Sequence, residues 1–594
     1  MLYHLRRLLT ICLVFAFACD VLPEEEEYPQ IDHPNVVLIL TDDQGYGDIG
    51  IHGNDTIETP VLDNFAKEGV RLDRFYVSPV CAPSRASLLT GRYHLRTGTS
   101  WVTDGMEDMR SEEVTLAEMF RQNGYATGCF GKWHNGAHYP RDPLGQGFDE
   151  FVGFKAGHWY NYFDSQLEHN QDTIQTKGFM TDALTDYAIN FIERNQKQPF
   201  FCYIPYNTPH SPFQVSDQYF NKYKAKGLDD QLAAIYGMCE NIDDNVGRIL
   251  QKLDDLDINE NTIVLFITDN GPNSSRYNGG MRGRKGHVHE GGIRVPSFIR
   301  WDNHLPKGRV IDQITAHIDI FPTLYELCQL EPVKTLPLDG INLLPLLIGE
   351  KDFLDRERTI FTHQVQNGQV KPYPGSARTP QYRLVLQAED NIMLFDMQHD
   401  PGETQNLASE RADIVKALQK DYLRWFSKVS AKGTAAAPIP VGYDEAPVVV
   451  LPAHEAALSA GLIYKYSPHG WAHDWVDQWS DTQDSMYWNI DVVKPGEYQV
   501  MLKYTSSPDE TGAEIQVSST NKKISQRINR PYLPKKIPTP DRVVREQEAY
   551  EQSWGSLNLG MLPLTKGQQT ISLKALDIPQ QNIGEIKAIV LRKQ

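Results

Sequence analysis

The sequence predicts an α/β domain on a largely parallel β-sheet flanked by helices, followed by a smaller α+β segment and then an all-β sandwich. Three observations carry this. Four continuous apolar runs, at 35–40, 126–130, 200–206 and 262–268, alternate with amphipathic helical patterns at 115–122, 181–195 and 232–253, the order that builds parallel strands with helical crossovers. Beyond a Gly-, Ala- and Pro-containing stretch at 432–440 the pattern changes to short alternating segments, which suit a sandwich. Each of the four runs ends in a cluster of polar residues, and open parallel sheets bind ligands beyond the carboxyl ends of their strands.

In chain order, the first strand leads into Thr41-Asp42-Asp43-Gln44-Gly45. Cys81-Ala82-Pro83-Ser84-Arg85 follows, then Leu88-Leu89-Thr90-Gly91-Arg92. Pro83 suits the first turn of a helix, so Cys81 falls at or just before a helix N-terminus, where anions are favoured, with Arg85 adding a permanent charge. The strand at 126–130 leads to Gly131-Lys132-Trp133-His134-Asn135, that at 200–206 to Asn207-Thr208-Pro209-His210, and that at 262–268 to Asp269-Asn270-Gly271. Arg284-Lys285-Gly286 and Glu290-Gly291-Gly292 come next. Asp42, Asp43, Asp269 and Asn270 offer hard oxygens suited to Ca²⁺ or Mg²⁺, and no His or Cys cluster has zinc spacing. The α+β segment reads as strands at 359–364, 382–387 and 391–395 and a helix at 411–428, with a turn at Asp400-Pro401-Gly402-Glu403. Sandwich strands are expected at 486–492, 496–504, 513–517, 569–573 and 586–591.

The chain has 594 residues, 40% hydrophobic and 10% aromatic, enough for two or three packed domains. A net charge of −19 argues against a nucleic-acid partner and leaves attraction of an anionic substrate to local basic residues. Arg6-Arg7 followed by the apolar run Leu8 to Ala18 reads as an export signal, too short to span a membrane as a mature helix. Export to the periplasm is expected; Cys19 after Ala18 also fits a lipoprotein cleavage site, which would give a lipid anchor at Cys19 and an outer-membrane or cell-surface location, with plain cleavage as the alternative. Of the seven cysteines, Cys129, Cys202, Cys239 and Cys328 have no paired spacing and are expected to be buried thiols.

Taken together, the Thr-Asp-Asp, Cys-x-Pro-Ser-Arg with Thr-Gly-Arg, Gly-Lys-Trp-His, Pro-His, Asp-Asn-Gly, Gly-x-Lys-Gly and Glu-Gly-Gly motifs resemble, in order, those of type I sulfatases, over about Asn35 to Val429. The resemblance implies an alkaline phosphatase-like mixed sheet, with a catalytic domain at 34–350 and a C-terminal subdomain at 351–430; the export signal at 1–19 and a β-sandwich accessory module at 441–594 flank them in the sequence reading. It implies that a formylglycine-forming maturase converts Cys81 to formylglycine (3-oxoalanine), whose hydrate attacks sulfur. Asp42, Asp43, Asp269, Asn270 and the modified Cys81 would ligate Ca²⁺. Arg85, Lys132 and Lys285 would neutralise the transferring group, His210 with Lys285 would protonate the leaving alcohol, and His134 would take the proton of the second hydroxyl. The expected substrate is a sulfated carbohydrate. Two alternatives stay open: a formylglycine-dependent phosphodiesterase or phosphonate monoesterase, and a catalytically silent glycan-binding protein. Asn135, His287 and His289 depart from the pattern and bear on the substrate. His158-Trp159-Tyr160 reads either as a sugar subsite or as loop packing, and Trp471, Trp475, Trp479 and Trp488 either as a stacking platform or as core.

Overall fold

The computed structural model describes residues 33–594 except 355, 356 and 367, so the export-signal residues and Cys19 lie outside the described residues. The elements that position the site are β1 (Asn35–Thr41), α1 (Cys81–Thr90), β2 (Ala126–Lys132), α2 (Met180–Asn195), β3 (Phe200–Pro205), α3 (Asp230–Asp255) and β4 (Thr262–Thr268). Side by side, β4, β1, β3 and β2 form the parallel centre of a ten-stranded sheet. Glu150–Phe154 continues it in parallel beside β2, while Ser297–Arg300 runs antiparallel to β4, so the sheet is mixed.

Side chains of β1 alternate between two cores: Val36, Leu38 and Leu40 face one that includes α1, and Val37 and Ile39 face another that includes α2 and α3. Burial on both faces is why these strands appear in sequence as unbroken apolar runs. The β1–β4 register pairs Thr41 with Thr268. Asp42 and Asp269 therefore emerge side by side at the carboxyl edge.

The α+β segment is a four-stranded antiparallel sheet, Ile360–His363, Gly375–Arg378, Tyr382–Leu386 and Ile392–Asp396, packed against α4 (Ala412–Val429). A buried ionic cluster locks it to the main domain. Glu290 pairs with Arg383 and accepts from Tyr76 Oη at 2.9 Å, and Glu403 accepts the Glu290 N–H at 2.8 Å and pairs with His289. Burial pushes the Glu290 carboxyl up, but Arg383, Arg378 and Arg294 outweigh it and hold the group down at about 2.

The C-terminal module consists of two sheets enclosing one core. One contains Ser485–Val492, Gly567–Asp577 and Glu514–Ser518, the other Gly496–Tyr504, Gly555–Leu564 and Ile586–Lys593. Its first strand, Ile439–Val441, starts inside the stretch read as a linker, because residues 439–441 pair in parallel with Ile490–Val492. Trp475, Trp479 and Trp488 are buried in this core, whereas Trp471 remains partly exposed. Cys129, Cys202, Cys239 and Cys328 are buried free thiols.

The module also grips the main domain. Residues 541–548 lie along the loop after β3: the Arg542 N–H donates to Phe213 O at 2.9 Å, its guanidinium donates to Val215 O at 2.8 Å, and Gln214 donates to Asp541 at 2.6 Å.

Candidate active site

Asp42 and Asp43 follow β1, Lys132 ends β2, His210 lies on the loop after β3, and Asp269 and Asn270 follow β4. Cys81 is the first residue of α1, and Lys285 reaches in from the loop beyond β4. A strand-to-loop crossover fixes each donor. The Asp42 N–H donates to Thr208 O at 3.1 Å, tying the His210 loop to β1, and the Asp269 N–H donates to Thr41 O at 3.1 Å. Asn135, outside the expected chemical set, donates from Nδ2 to Ala82 O at 3.0 Å and so steadies the first turn of α1.

The three carboxylates interleave with three cations. Lys132 Nζ donates to Asp42 Oδ2 at 2.7 Å, Lys285 Nζ lies 2.7 Å from Asp43 Oδ1, and Arg85 donates from Nε and Nη2 to Asp269 Oδ2 at 3.0 and 2.8 Å. Burial raises the carboxyls of Asp42 and Asp43, yet neighbouring charge outweighs it. Lys132, His210 and Arg85 hold Asp42 far below the usual carboxylate range, and Lys285 and His210 pull Asp43 down. Asp269 goes the other way: burial, then the charge of Asp42, push it up to about 7. Burial also pushes the Cys81 thiol up, so the unmodified side chain is a protonated thiol and a poor nucleophile.

The two histidines differ in a way their sequence context does not show. His134, 2% exposed and at φ 62°, donates from Nε2 to Val102 O at 3.0 Å. A carbonyl only accepts, so Nε2 carries the proton and Nδ1 carries the lone pair. That Nδ1 is buried with no hydrogen-bond partner among the described residues. Burial, then the charge of Lys132, lower the pKa of this imidazole and keep it neutral. His210 instead donates from Nδ1 to Ser211 O at 2.6 Å and turns Nε2 toward Asp43 Oδ2, 3.8 Å away.

The fit to a metal can be tested on the donors. Asp42, Cys81 and Asp269 offer ligand atoms within 4.8 Å of one another. Asp42 Oδ1 and Asn270 Oδ1 are buried without a hydrogen-bond partner among the described residues. Orphaned buried acceptors are costly, and a hard cation satisfies them where no donor does. Asp42, Asp43 and His210 form a second such group, in which Asp43 also pairs with Lys285 and accepts from Asn270 Nδ2 at 2.8 Å.

All of this lies at the floor of a cavity of about 770 Å³. Asp43, Cys81, His134, His210 and Lys285 face it, while Arg85 and Lys132 lie buried behind it. Its far wall belongs to the C-terminal module, through Trp471 and residues 543–548. Sequence reasoning did not find this wall, since no motif marks 543–548 and over 300 residues separate it from the His210 loop it faces. A larger cavity of about 1250 Å³ adjoins, sharing Trp101 and Trp471 with the first.

The sequence profile of the Sulfatase family matches residues 34–330, and that of the N-sulphoglucosamine sulphohydrolase C-terminal region matches residues 284–428. The chain is 33% identical over 356 residues to N-acetylgalactosamine-6-sulfatase of Canis lupus familiaris, a match covering 53% of this chain and 66% of that protein, a little under two thirds of its length. It is 31% identical over 457 residues to arylsulfatase A of Homo sapiens, covering 65% of this chain and 86% of the relative. Among solved structures, Ps i-CgsB in complex with k-i-k-neocarrahexaose superposes with a TM-score of 0.63 at 28% identity, over 66% of this chain and 93% of the other.

Proposed function

The chain belongs to the sulfatase family, and from that premise we propose that it hydrolyses sulfate esters on a sulfated carbohydrate, after a maturase has converted Cys81 to formylglycine. The observation that carries the reading is the position of Cys81, on the first turn of α1, between the carboxylates of Asp42 and Asp269 and facing the same cavity as His134, His210 and Lys285. The hydrated aldehyde would supply two hydroxyls on one carbon, one to attack sulfur and one to expel sulfate. Asp42, Asp43, Asp269, Asn270 and the modified Cys81 would hold Ca²⁺, which would supply Lewis-acid polarisation of the sulfate oxygens.

The remaining steps belong to the chain's own side chains. Lys285 at the cavity and Arg85 and Lys132 behind it concentrate positive charge where the sulfuryl group sits. His134, neutral with a free lone pair on Nδ1, accepts the proton of the second hydroxyl. His210, its Nδ1–H engaged by Ser211 O, presents Nε2 to the leaving oxygen and, in the imidazolium form that Asp43 faces, hands it the Nε2 proton and is left as neutral imidazole. Carbohydrate as the leaving group is supported by the cavity's size and its Trp471 wall, and by the oligosaccharide held by the structural neighbour. Export, with a lipid anchor at Cys19 as one route, is part of the proposal, since an extracellular polysaccharide is met outside the cytoplasm.

Peptide mass spectrometry after co-expression with a maturase should show Cys81 as an aldehyde, and Cys81→Ala should abolish sulfate release. Chelation should abolish turnover, and added Ca²⁺ should restore it and raise the melting temperature. An active Cys81→Ala variant would overturn the nucleophile, and full turnover in demetallated protein would overturn the metal.

A further inference from the structure

Besides His134 Nδ1, two polar atoms of residues lining the reaction cavity are buried with no hydrogen-bond partner among the described residues, His158 Nε2 and Glu548 Oε2. Neither belongs to the sulfate-handling set. His158 comes from the main domain and is 8% exposed. Its ring lies parallel to that of His210, 6.3 Å between centroids, so it flanks the side from which the leaving oxygen is protonated. Glu548 comes from the module, and its other oxygen, Oε1, accepts from Ser211, the residue next to His210. A buried acceptor or imidazole nitrogen left empty is costly, so such atoms in a native cavity call for a partner that a bound ligand supplies.

The backbone segments that carry both side chains are held at the cavity wall. His473 of the module donates from Nε2 to His158 O at 3.2 Å, and Lys587 fixes the His473 backbone at 2.8 Å while pairing with Glu551 at 2.7 Å. Arg545 donates to Tyr160 O at 2.6 Å and to Asp541 at 3.0 Å, pinning the segment that carries Glu548. Burial, then the charge of His473, lower the His158 pKa, so the imidazole is neutral and gives or takes a single hydrogen bond.

We propose that His158 and Glu548, one from each folded unit, bind hydroxyl groups of the sugar residue that carries the scissile sulfate. The proposal rests on the carbohydrate sulfatase reading and deepens it. A carboxylate accepts from hydroxyls and repels anions, so the recognised unit presents free hydroxyls, not a second sulfate or a carboxylate, beside the scissile ester. Arg284, exposed at the rim, offers a cation to a further negative group at the mouth, whereas Arg545 in the wall is paired with Asp541.

The test compares kcat/KM on monosulfated galactose and N-acetylgalactosamine isomers with that on 4-nitrophenyl sulfate, whose leaving group has no hydroxyl beyond the ester oxygen. Glu548→Gln and His158→Gln should each lose about tenfold more on the preferred sugar than on the aryl ester, about 1.4 kcal/mol of differential binding. A substrate lacking the recognised hydroxyl should lose the same factor with the native protein and nothing further with the matching variant. Ser211→Ala serves as control: equal losses on both substrates in Glu548→Gln and Ser211→Ala alike would show that Glu548 acts only by holding His210, and would overturn the proposal. Native protein that cleaves 4-nitrophenyl sulfate but none of the sugars would overturn the carbohydrate reading and this proposal with it.

Discussion

Gly157 shows how tightly single residues set this site. A Cβ there would come within 2.7 Å of His134 Nε2 and 3.0 Å of its Cε1, on the edge that donates to Val102. The ring is hydrogen-bonded and cannot swing away cheaply, so Gly157→Ala should displace Nδ1, lower the melting temperature and cost on the order of 10²-fold in kcat. Unchanged turnover of 4-nitrophenyl sulfate would remove His134 from proton transfer. His210→Ala should differ in kind: an acid matters most for a poor leaving group, so the loss should be far larger on a sulfated sugar than on the nitrophenyl ester. At this scale the sequence names the residue types but not their protonation or orientation. That His134 is basic at Nδ1 follows from Val102 O, thirty-two residues away, and that Asn135 braces α1 follows from contact with Ala82 O.

At the scale of elements, legibility tracks burial. The four central strands are covered on both faces, so their apolar runs stand out, and their carboxyl ends were visible as a shared edge. Gly375–Arg378 was not visible, because Gly-Ser-Ala-Arg has no strand pattern of its own; it is a strand because both neighbours pair with it. Gly555–Leu564 was hidden by Gly560 and Pro563, which read as turn residues. The Glu290 cluster is the ionic counterpart of these hydrophobic contacts, and its pKa gives it a pH signature. With the folded value down at about 2 from an ordinary 4.5, its contribution is fully present above pH 4.5 and is lost as pH falls toward 2. Melting temperature should fall through that window. Glu290→Gln, which leaves Arg383 and Arg378 short of their counter-charge, should cost roughly 3–5 kcal/mol near neutrality and flatten the acid limb. An acid limb as steep as that of the native protein would place the sensitivity elsewhere.

For the whole molecule, the main consequence of the architecture is that the site is not finished by one domain. Asp541, Arg542 and Glu548 contact the loop from Ser211 to Val215, immediately after His210. Arg542→Ala removes the guanidinium bonds to Val215 O and the pair with Asp217. It should raise hydrogen exchange in residues 211–217 and lower turnover of sugars severalfold, while β1 and β4 keep their protection. Unaltered exchange in that loop would mean the clamp is not needed. A β-sandwich could be read from the alternating segments after residue 480, but its part in the cavity could not, because surface complementarity between distant segments leaves no periodic trace.

There is also an order of events written into the burial of Cys81. Cys81 is 2% exposed, at the start of a helix all ten residues of which are buried, and the wall that closes over its cavity is made from residues 543–548, more than 450 positions further along. An enzyme that must handle the Cys81 thiol and the residues around it as an extended strand meets them only before that closure. On the proposed conversion of Cys81, the yield of active protein would be decided by a race between modification and folding. Slowing translation or export should raise the fraction of converted chains, and folded, unconverted protein should remain inert to a maturase added afterwards. Conversion of the native folded thiol form at a rate comparable to that of the denatured chain would show that the pocket opens wide enough to admit another protein.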